Sequence, residues 1–307
     1  DYTFAQIGIV EPTVDWKANC GNLSAAVGAF AVDEGLVRPV EPTTPVVAFN
    51  TNTQKKIYVD VPVRGGRAAV TGDTRIDGVA GTGAPLLVDF RDSAGTATGS
   101  LLPTGRARDT FALDDRPVEG SIVDVANPSV FVRASDFGLA GTELPAQITG
   151  DAALLDRLQA IRGQAAVRLG FVDDWREARL KSPSVPFVIL VSPPADYVAA
   201  DGREVRAGDV DLVGRPISAA GFAHKSFQGT GSVCTAVAAL IPGTIVAEAA
   251  RLRNPGRVVL GHGLGTLELA AAVEPHGDAY RVTRAALVRT ARRLFDGAVY
   301  VPRAAMA

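Results

Sequence analysis

Asn19-Cys20-Gly21-Asn22 is the stretch of this sequence best suited to chemistry. The residues after it, 23–34, are small and apolar and predict a helix. Cys20 then stands just before a helix start, where backbone N–H groups lack intrahelical partners and stabilise an anion, a thiolate included. Such a position lowers a cysteine's pKa. Gly21 lets a ligand come close to the main chain. The Asn22 amide can bind a carboxylate or cap the helix. The plainer reading is a small buried residue beside a helix cap, because free cysteine is among the most buried residue types.

Gly229-Thr230-Gly231-Ser232 stands before a second apolar, alanine-rich helix. It has the form of a backbone nest for a carboxylate or phosphate, or of a tight turn feeding close helix packing. Cys234 lies one turn further on among Val233, Ala236 and Val237 and reads as a packed, inert thiol. Asn127, before Pro128, either points into a cleft or closes a bulge. His224-Lys225 could supply cationic donors to an acid, although long charged side chains are usually solvated. Gly261-His262-Gly263-Leu264-Gly265 admits a close approach or is simply a hairpin turn. His276 reads as an exposed turn, and Arg289, Arg292 and Arg293 as the solvated face of a last helix. The residues together suggest a cleft with a helix start aimed in from each side. Two such anion-binding ends suit a di- or tricarboxylate, and a thiolate beside one could take a proton from carbon next to a carboxyl group.

The elements that must position these groups fall into two similar halves. A strand is expected over residues 2–10, then the helix at 23–34, apolar on nearly every face and therefore buried all round. Strands at 46–50, 56–63, 68–71 and 85–90 follow, punctuated by Gly and Pro as in a meandering sheet or barrel. The second half opens with a strand at 121–125 continuing into 129–132, and an amphipathic helix at 151–170. Strands at 187–191 and 210–213, a buried helix at 232–240, and strands at 258–260 and 267–273 come next. A final helix is expected at 285–295 and a strand at 298–301. The boundary between halves is set near residues 114–120.

With 31 Lys+Arg against 33 Asp+Glu in 307 residues, the net charge of −2 gives no electrostatic case for nucleic acid or an anionic membrane. Two cysteines cannot staple a chain of this length, and no Cys or His spacing marks a metal site. No apolar stretch is long enough to span a bilayer. No signal peptide is visible, but the chain opens inside a strand-like run, so a targeting segment could have been lost. A cytoplasmic location is expected on chemical grounds.

Ordered motifs along almost the whole chain resemble the PrpF family of aconitate-type isomerases, which shares the diaminopimelate epimerase fold. They include Asp1-Tyr2-Thr3-Phe4-Ala5-Gln6, Asn19-Cys20-Gly21-Asn22, Gly81-Thr82-Gly83-Ala84-Pro85 and Asp124-Val125-Ala126-Asn127-Pro128. Others are Gly141-Thr142-Glu143-Leu144-Pro145, Thr230-Gly231-Ser232-Val233-Cys234, Arg289-Thr290-Ala291-Arg292-Arg293 and Val299-Tyr300-Val301-Pro302. The resemblance implies an α+β protein of two pseudo-β-barrel domains, each wrapped round a buried helix, with substrate between them. The first would comprise 1–116 and 285–307 and lack N-terminal strands; the second would be 117–284. It implies a cofactor-independent isomerase that shifts a double bond, or its cis/trans geometry, in an unsaturated di- or tricarboxylate of the 2-methylaconitate type. The alternatives are a 4-oxalomesaconate-type tautomerase, or a non-catalytic fragment that binds polycarboxylates.

By that likeness Cys20 is the acid/base group, and Gly21, Asn22 and Asn127 line the substrate. Gly229, Thr230 and Gly231 form the second carboxylate nest, with Ser232, Lys225, His262 and Gly263 completing the binding set. The implied partner is a small polycarboxylate, with no nucleic acid and no membrane, and a homodimer is the candidate assembly. Three departures from the pattern stand out. Gln228 occupies the place of the epimerases' second catalytic cysteine, so a two-thiol racemase is not expected. The family's N-terminal stretch, with a Gly-Gly-Thr-Ser-Lys-like loop and a later Thr-Ser-Lys whose lysine partners the cysteine, is not in this sequence. The expected partner is that missing lysine, with Lys225 the lesser alternative. The Gly-His-Pro-Ser-Gly turn reads Gly261-His262-Gly263-Leu264-Gly265, placing an apolar side chain where a hydroxyl would face the substrate.

Overall fold

Residues 57, 59, 61 and 63 are Ile, Val, Val and Val, and each is buried while Lys56, Tyr58, Asp60 and Pro62 are not. This period of two is that of a strand with one face on a core, and the fold is built largely from such strands. The computed structural model describes residues 1–8, 14–16, 19–114, 116–277, 279–298 and 300. It opens with β1 (Gln6–Ile7) paired antiparallel to β2 (Val14–Asp15). Then come helix α1 (Gly21–Asp33), β3 (Thr43–Asn50), β4 (Lys55–Arg64), β5 (Arg67–Ala68), β6 (Leu86–Asp89) and β7 (Asp109–Leu113). Next are β8 (Arg116–Val125), β9 (Asn127–Arg133), and helices α2 (Pro145–Thr149), α3 (Ala152–Arg168) and α4 (Ala178–Lys181). These lead to β10 (Phe187–Ser192), β11 (Tyr197–Val198), β12 (Glu204–Val205) and β13 (Leu212–Ile217). The chain continues through α5 (Gly229–Ala238), α6 (Ile245–Ala249), β14 (Arg257–His262), β15 (Gly265–His276) and β16 (Ala279–Arg289).

The fold is mixed α+β with one large sheet. Among the described residues twelve strands join it in the order β3-β4-β6-β16-β15-β14-β13-β10-β9-β8-β7, with β5 added on β4. Pairing is antiparallel except between β9 and β10 and between β13 and β14. The two small-residue helices lie against different parts of this sheet. Helix α1 packs on β3, β4, β5 and β6; α5 packs on β8, β9, β14, β15 and β16.

All ten residues of α5 are buried, as expected of a helix apolar all round. Its hydroxyls are satisfied within the helix: Ser232 donates to the Gly229 carbonyl at 2.8 Å and Thr235 to that of Gly231 at 2.7 Å. Cys234 donates to the Val123 carbonyl at 3.3 Å, and burial pushes its thiol up to about 12, so it is inert. Helix α1 departs from expectation. Gly21, Ser24, Ala25, Gly28, Ala31 and Val32 are buried, but Leu23 and Phe30 remain more than half exposed. Strands cover one face of α1 only; beside its other face runs the 291–296 segment, leaving a groove of about 490 Å³.

Several expected elements take another form. The last helix is replaced by β16, held by β15 and β6, and residues 290–298 are neither helix nor strand. An apolar run such as Ala285-Ala286-Leu287 does not separate a buried strand from a buried helix by pattern alone. The strand expected at 298–301 lies partly outside the described residues, as do residues 9 and 10 of the opening strand; of that strand only Gln6–Ile7 is paired, with Tyr2 bridging Asn50. Residues 121–132 are no continuous strand. They fold back at Ala126, whose φ of 60° is in the left-handed region that non-glycine residues seldom occupy.

Candidate active site

Cys20 is the N-cap residue of α1, extended at φ −103° and ψ 106°, and no side chain caps the helix. Its carbonyl accepts the Ser24 N–H at 3.0 Å, which leaves the amides of Gly21, Asn22 and Leu23 without partners inside the helix. Cys20 is partly exposed. Helix α5 begins in the same manner, with Gln228 as an N-cap residue that makes no capping bond. Gly229, Thr230 and Gly231 form the first turn of α5 and do not precede it.

The sequence suggested a gap between the two helix starts, but in the structure they abut. A methyl group at Gly21 would lie 2.8 Å from the Thr230 nitrogen and 3.0 Å from the Gly229 carbonyl carbon. One at Gly229 would lie 2.9 Å from Asn22 Oδ1. At Gly21 a side chain would press on main-chain atoms of α5, and at Gly229 it would displace the Asn22 amide. The two starts meet at one rim beside Cys20, which is partly exposed, and Asn22, which is exposed, while Gly229, Thr230 and Gly231 are buried. Asn127 clasps the joint from below. Its Nδ2 donates to the Asn19 carbonyl and to Thr230 Oγ1, each at 2.9 Å, and its Oδ1 accepts the Asn19 N–H at 3.4 Å. The fold-back at Ala126 is what aims Asn127 here. The Asn19 side chain is held in turn by Tyr2 Oη at 3.2 Å and Asn50 Nδ2 at 3.4 Å. Asn127 and Thr230 are 3% and 2% exposed, so both serve the joint with polar atoms already engaged.

One group at this rim escapes the sequence reading. Arg289, at the end of β16, donates from Nε to Asn22 Oδ1 at 2.8 Å and from Nη1 to the Val288 carbonyl at 2.8 Å. Burial pulls its guanidinium down to about 10, with the nearby charge of Cys20 acting in the opposite direction. Arg289 was assigned with Arg292 and Arg293 to a solvated helix face; as the end of a strand it points at the first turn of α1 instead. The signal available was strand-compatible alternation ending in an arginine motif. Arg293 does stay outside and pairs with Glu34.

The remaining sites form a second group. His262 is 1% exposed, and its Nδ1 accepts the Leu264 N–H at 3.1 Å. Burial lowers it to about 4, and the charges of Arg215 and Arg289 push the same way, so the ring is neutral and supplies no cation. A methyl at Gly263 would strike Pro145 Cγ at 2.6 Å and the Lys225 carbonyl at 2.9 Å, so this turn is packed against α2 and the irregular segment that leads to α5. Lys225 is exposed and its amine bonds to no described residue. Ser232 is fully buried with its hydroxyl turned to its own helix, which removes it from the binding set. Gln228 has a buried Oε1 without a hydrogen-bond partner, beside Gly231. An amide neither gives nor takes a proton readily, in keeping with a site served by one thiol.

A family model for PrpF proteins matches residues 1–302. The chain belongs to the PrpF family. Among its relatives, a 3-methylitaconate isomerase of Eubacterium barkeri is 46% identical over 308 residues, 99% of this chain and 79% of the relative. A 2-methyl-aconitate isomerase of Shewanella oneidensis is 36% identical over 312 residues, 99% of this chain and 78% of that one. The crystal structure of a methylitaconate-delta-isomerase superposes with a TM-score of 0.88 at 45% identity, covering 100% of this chain and 78% of the other. This PrpF protein is an isomerase by these relationships, and its helix starts meet where the family-like Asn-Cys-Gly-Asn and Gly-Thr-Gly motifs fall.

Proposed function

We propose that this PrpF protein moves a double bond, or its cis/trans geometry, in an unsaturated di- or tricarboxylate of the methylitaconate and 2-methylaconitate class, with Cys20 carrying the proton. The observation that carries the reading is the position of Cys20: a partly exposed cysteine at the uncapped start of α1, against the uncapped start of α5, with Arg289 held beside it. The free amides are preorganised donors for negative charge. In the reaction the thiolate takes a proton from the allylic carbon that bears a carboxylate. The electron pair spreads into a dienolate whose charge rests on carboxylate oxygens held by the helix starts. Return of a proton to the far carbon of the allylic unit leaves the double bond moved, and rotation in the intermediate gives the cis/trans outcome. The two parts of the sheet around α1 and α5 act in this proposal as two partial barrels that present one helix start each. No step requires a cofactor, and a small polycarboxylate is the only partner the reading needs.

Proton NMR of methylitaconate, 2-methylaconitate and 4-oxalomesaconate incubated with the protein tests this reading. Interconversion of one of the first two is expected, and Cys20→Ser should slow it at least about 100-fold, the usual range for removing a proton carrier. Faster turnover of 4-oxalomesaconate would shift the substrate to the tautomerase alternative. A serine variant as fast as the wild type would remove Cys20 from the reaction.

A further inference from the structure

Arg289 differs from the other arginines drawn into the fold. Arg91, Arg203, Arg253 and Arg284 each pair with a carboxylate. Arg162 and Arg215 also lack a carboxylate partner among the described residues, but they are almost fully buried and bond to main-chain carbonyls, Arg162 to Pro186 and Val185 and Arg215 to Glu143 and Gly214. The nitrogens they leave unbonded, Arg162 Nη1 and Arg215 Nη2, are sealed from solvent, whereas Arg289 is partly exposed. Arg289 has no carboxylate partner among the described residues. Among the described residues it holds one side-chain bond, to Asn22 in the first turn of α1, and its Nη2 bonds to none of them. The ionisable group that acts on its charge is Cys20.

A partly exposed guanidinium with no carboxylate partner can still reach a ligand, and an anion that arrives gains a charge-assisted bond to it. Its planar fork is suited to a carboxylate. The Nε bond to Asn22 fixes the plane of the fork and leaves the Nη2 corner for a ligand at the rim that holds Cys20. We propose that Arg289 is the specificity-determining residue of this site, binding one carboxylate of the substrate so that the carbon chain lies across the Cys20 sulfur. The free amides of the helix starts then take another carboxylate, so that acids with two carboxylates are selected over their monoesters. This inference rests on the function proposed above. Its distinct content is that discrimination between diacid and monoester resides in Arg289.

Arg289→Gln and Arg289→Lys would be compared with the wild type and with Cys20→Ser. Calorimetric binding of trans-aconitate, a tricarboxylate, and steady-state turnover of methylitaconate and its two monomethyl esters would be measured. Loss of a charge-assisted bond should weaken trans-aconitate binding and raise KM for methylitaconate about 10- to 100-fold in Arg289→Gln, with a smaller change in kcat. The diacid-over-monoester preference should fall by a similar factor for one ester. Arg289→Lys should lie between, and added guanidinium should restore part of the glutamine variant's activity. Cys20→Ser should bind trans-aconitate as the wild type does while failing to turn methylitaconate over. Unchanged binding and ester preference in Arg289→Gln would overturn the inference, also where its melting temperature has fallen, because the arginine would then only fasten β16 to α1. If the wild type turned over none of the acids, the proposed function would fail while the binding arm still decided the role of Arg289.

Discussion

Asn127 joins two helix starts that are remote in sequence. Its Nδ2 serves Asn19 on one side and Thr230 on the other, in a place where water does not reach. Asn127→Ala removes both bonds and strands the Asn19 carbonyl, so a loss of about 1–3 kcal/mol is expected in urea denaturation, together with slower turnover as the two starts lose register. A variant of wild-type stability would show that the clasp is dispensable. Cys20, Gly21, Asn22 and Thr230 stand out in the sequence because each lies in a short motif at a helix start, where local spacing suggests the chemistry, while Asn127 stands out as an Asn-Pro between two strands. Arg289 does not. Its role depends on β16 being a strand paired to β6, and the sequence around it fits a helix as well. Ser232 misled in the opposite sense, since a hydroxyl in a first turn can face a ligand or, as here, its own helix.

At the scale of elements, the site is a contact between α1 and α5, and its tightness is set by two glycines. A Gly21→Ala methyl meets main-chain atoms of α5 at 2.8 and 3.0 Å, where no flexible side chain can yield. Overpacking of this sort costs about 1–3 kcal/mol, so a melting temperature lower by roughly 2–8 °C is expected, with activity reduced further because the amides at the rim separate. An unchanged melting curve would contradict the close contact. The two helices themselves were legible from their small apolar residues, but not how far each is covered. Strands of the sheet pack on α5 from several sides, whereas α1 keeps Leu23 and Phe30 in solvent. Composition reports that a helix can be buried; which strands surround it is decided by pairings between residues more than a hundred positions apart.

The whole molecule carries its site at the meeting of distant parts of one sheet, and its stability should record that arrangement. His262 is neutral in the fold down to about pH 4, while an unfolded histidine titrates near 6.5. Between these values the unfolded chain binds more protons. The His262 contribution is therefore fully present above about pH 6.5 and lost as the pH falls through 4. In His262→Asn, which keeps an acceptor for the Leu264 amide, the stability lost between pH 7 and pH 4.5 should be about 2–3 kcal/mol smaller than in the wild type. Parallel acid limbs in urea denaturation would contradict a buried neutral ring. A mixed α+β fold rich in strands could be read from the alternating apolar residues and the two small-residue helices. That the strands merge into a single large sheet could not, because it rests on the pairing of β16 with β6. The central claim concerns one atom, the sulfur of Cys20, and the transfer of a substrate proton to it. Deuterium incorporation from D2O into methylitaconate recovered before equilibrium, followed by mass spectrometry, tests it most directly. The wild type should label the allylic carbon that bears a carboxylate, and Cys20→Ser, folded and still binding trans-aconitate, should leave it unlabelled; equal labelling by both proteins would contradict the account.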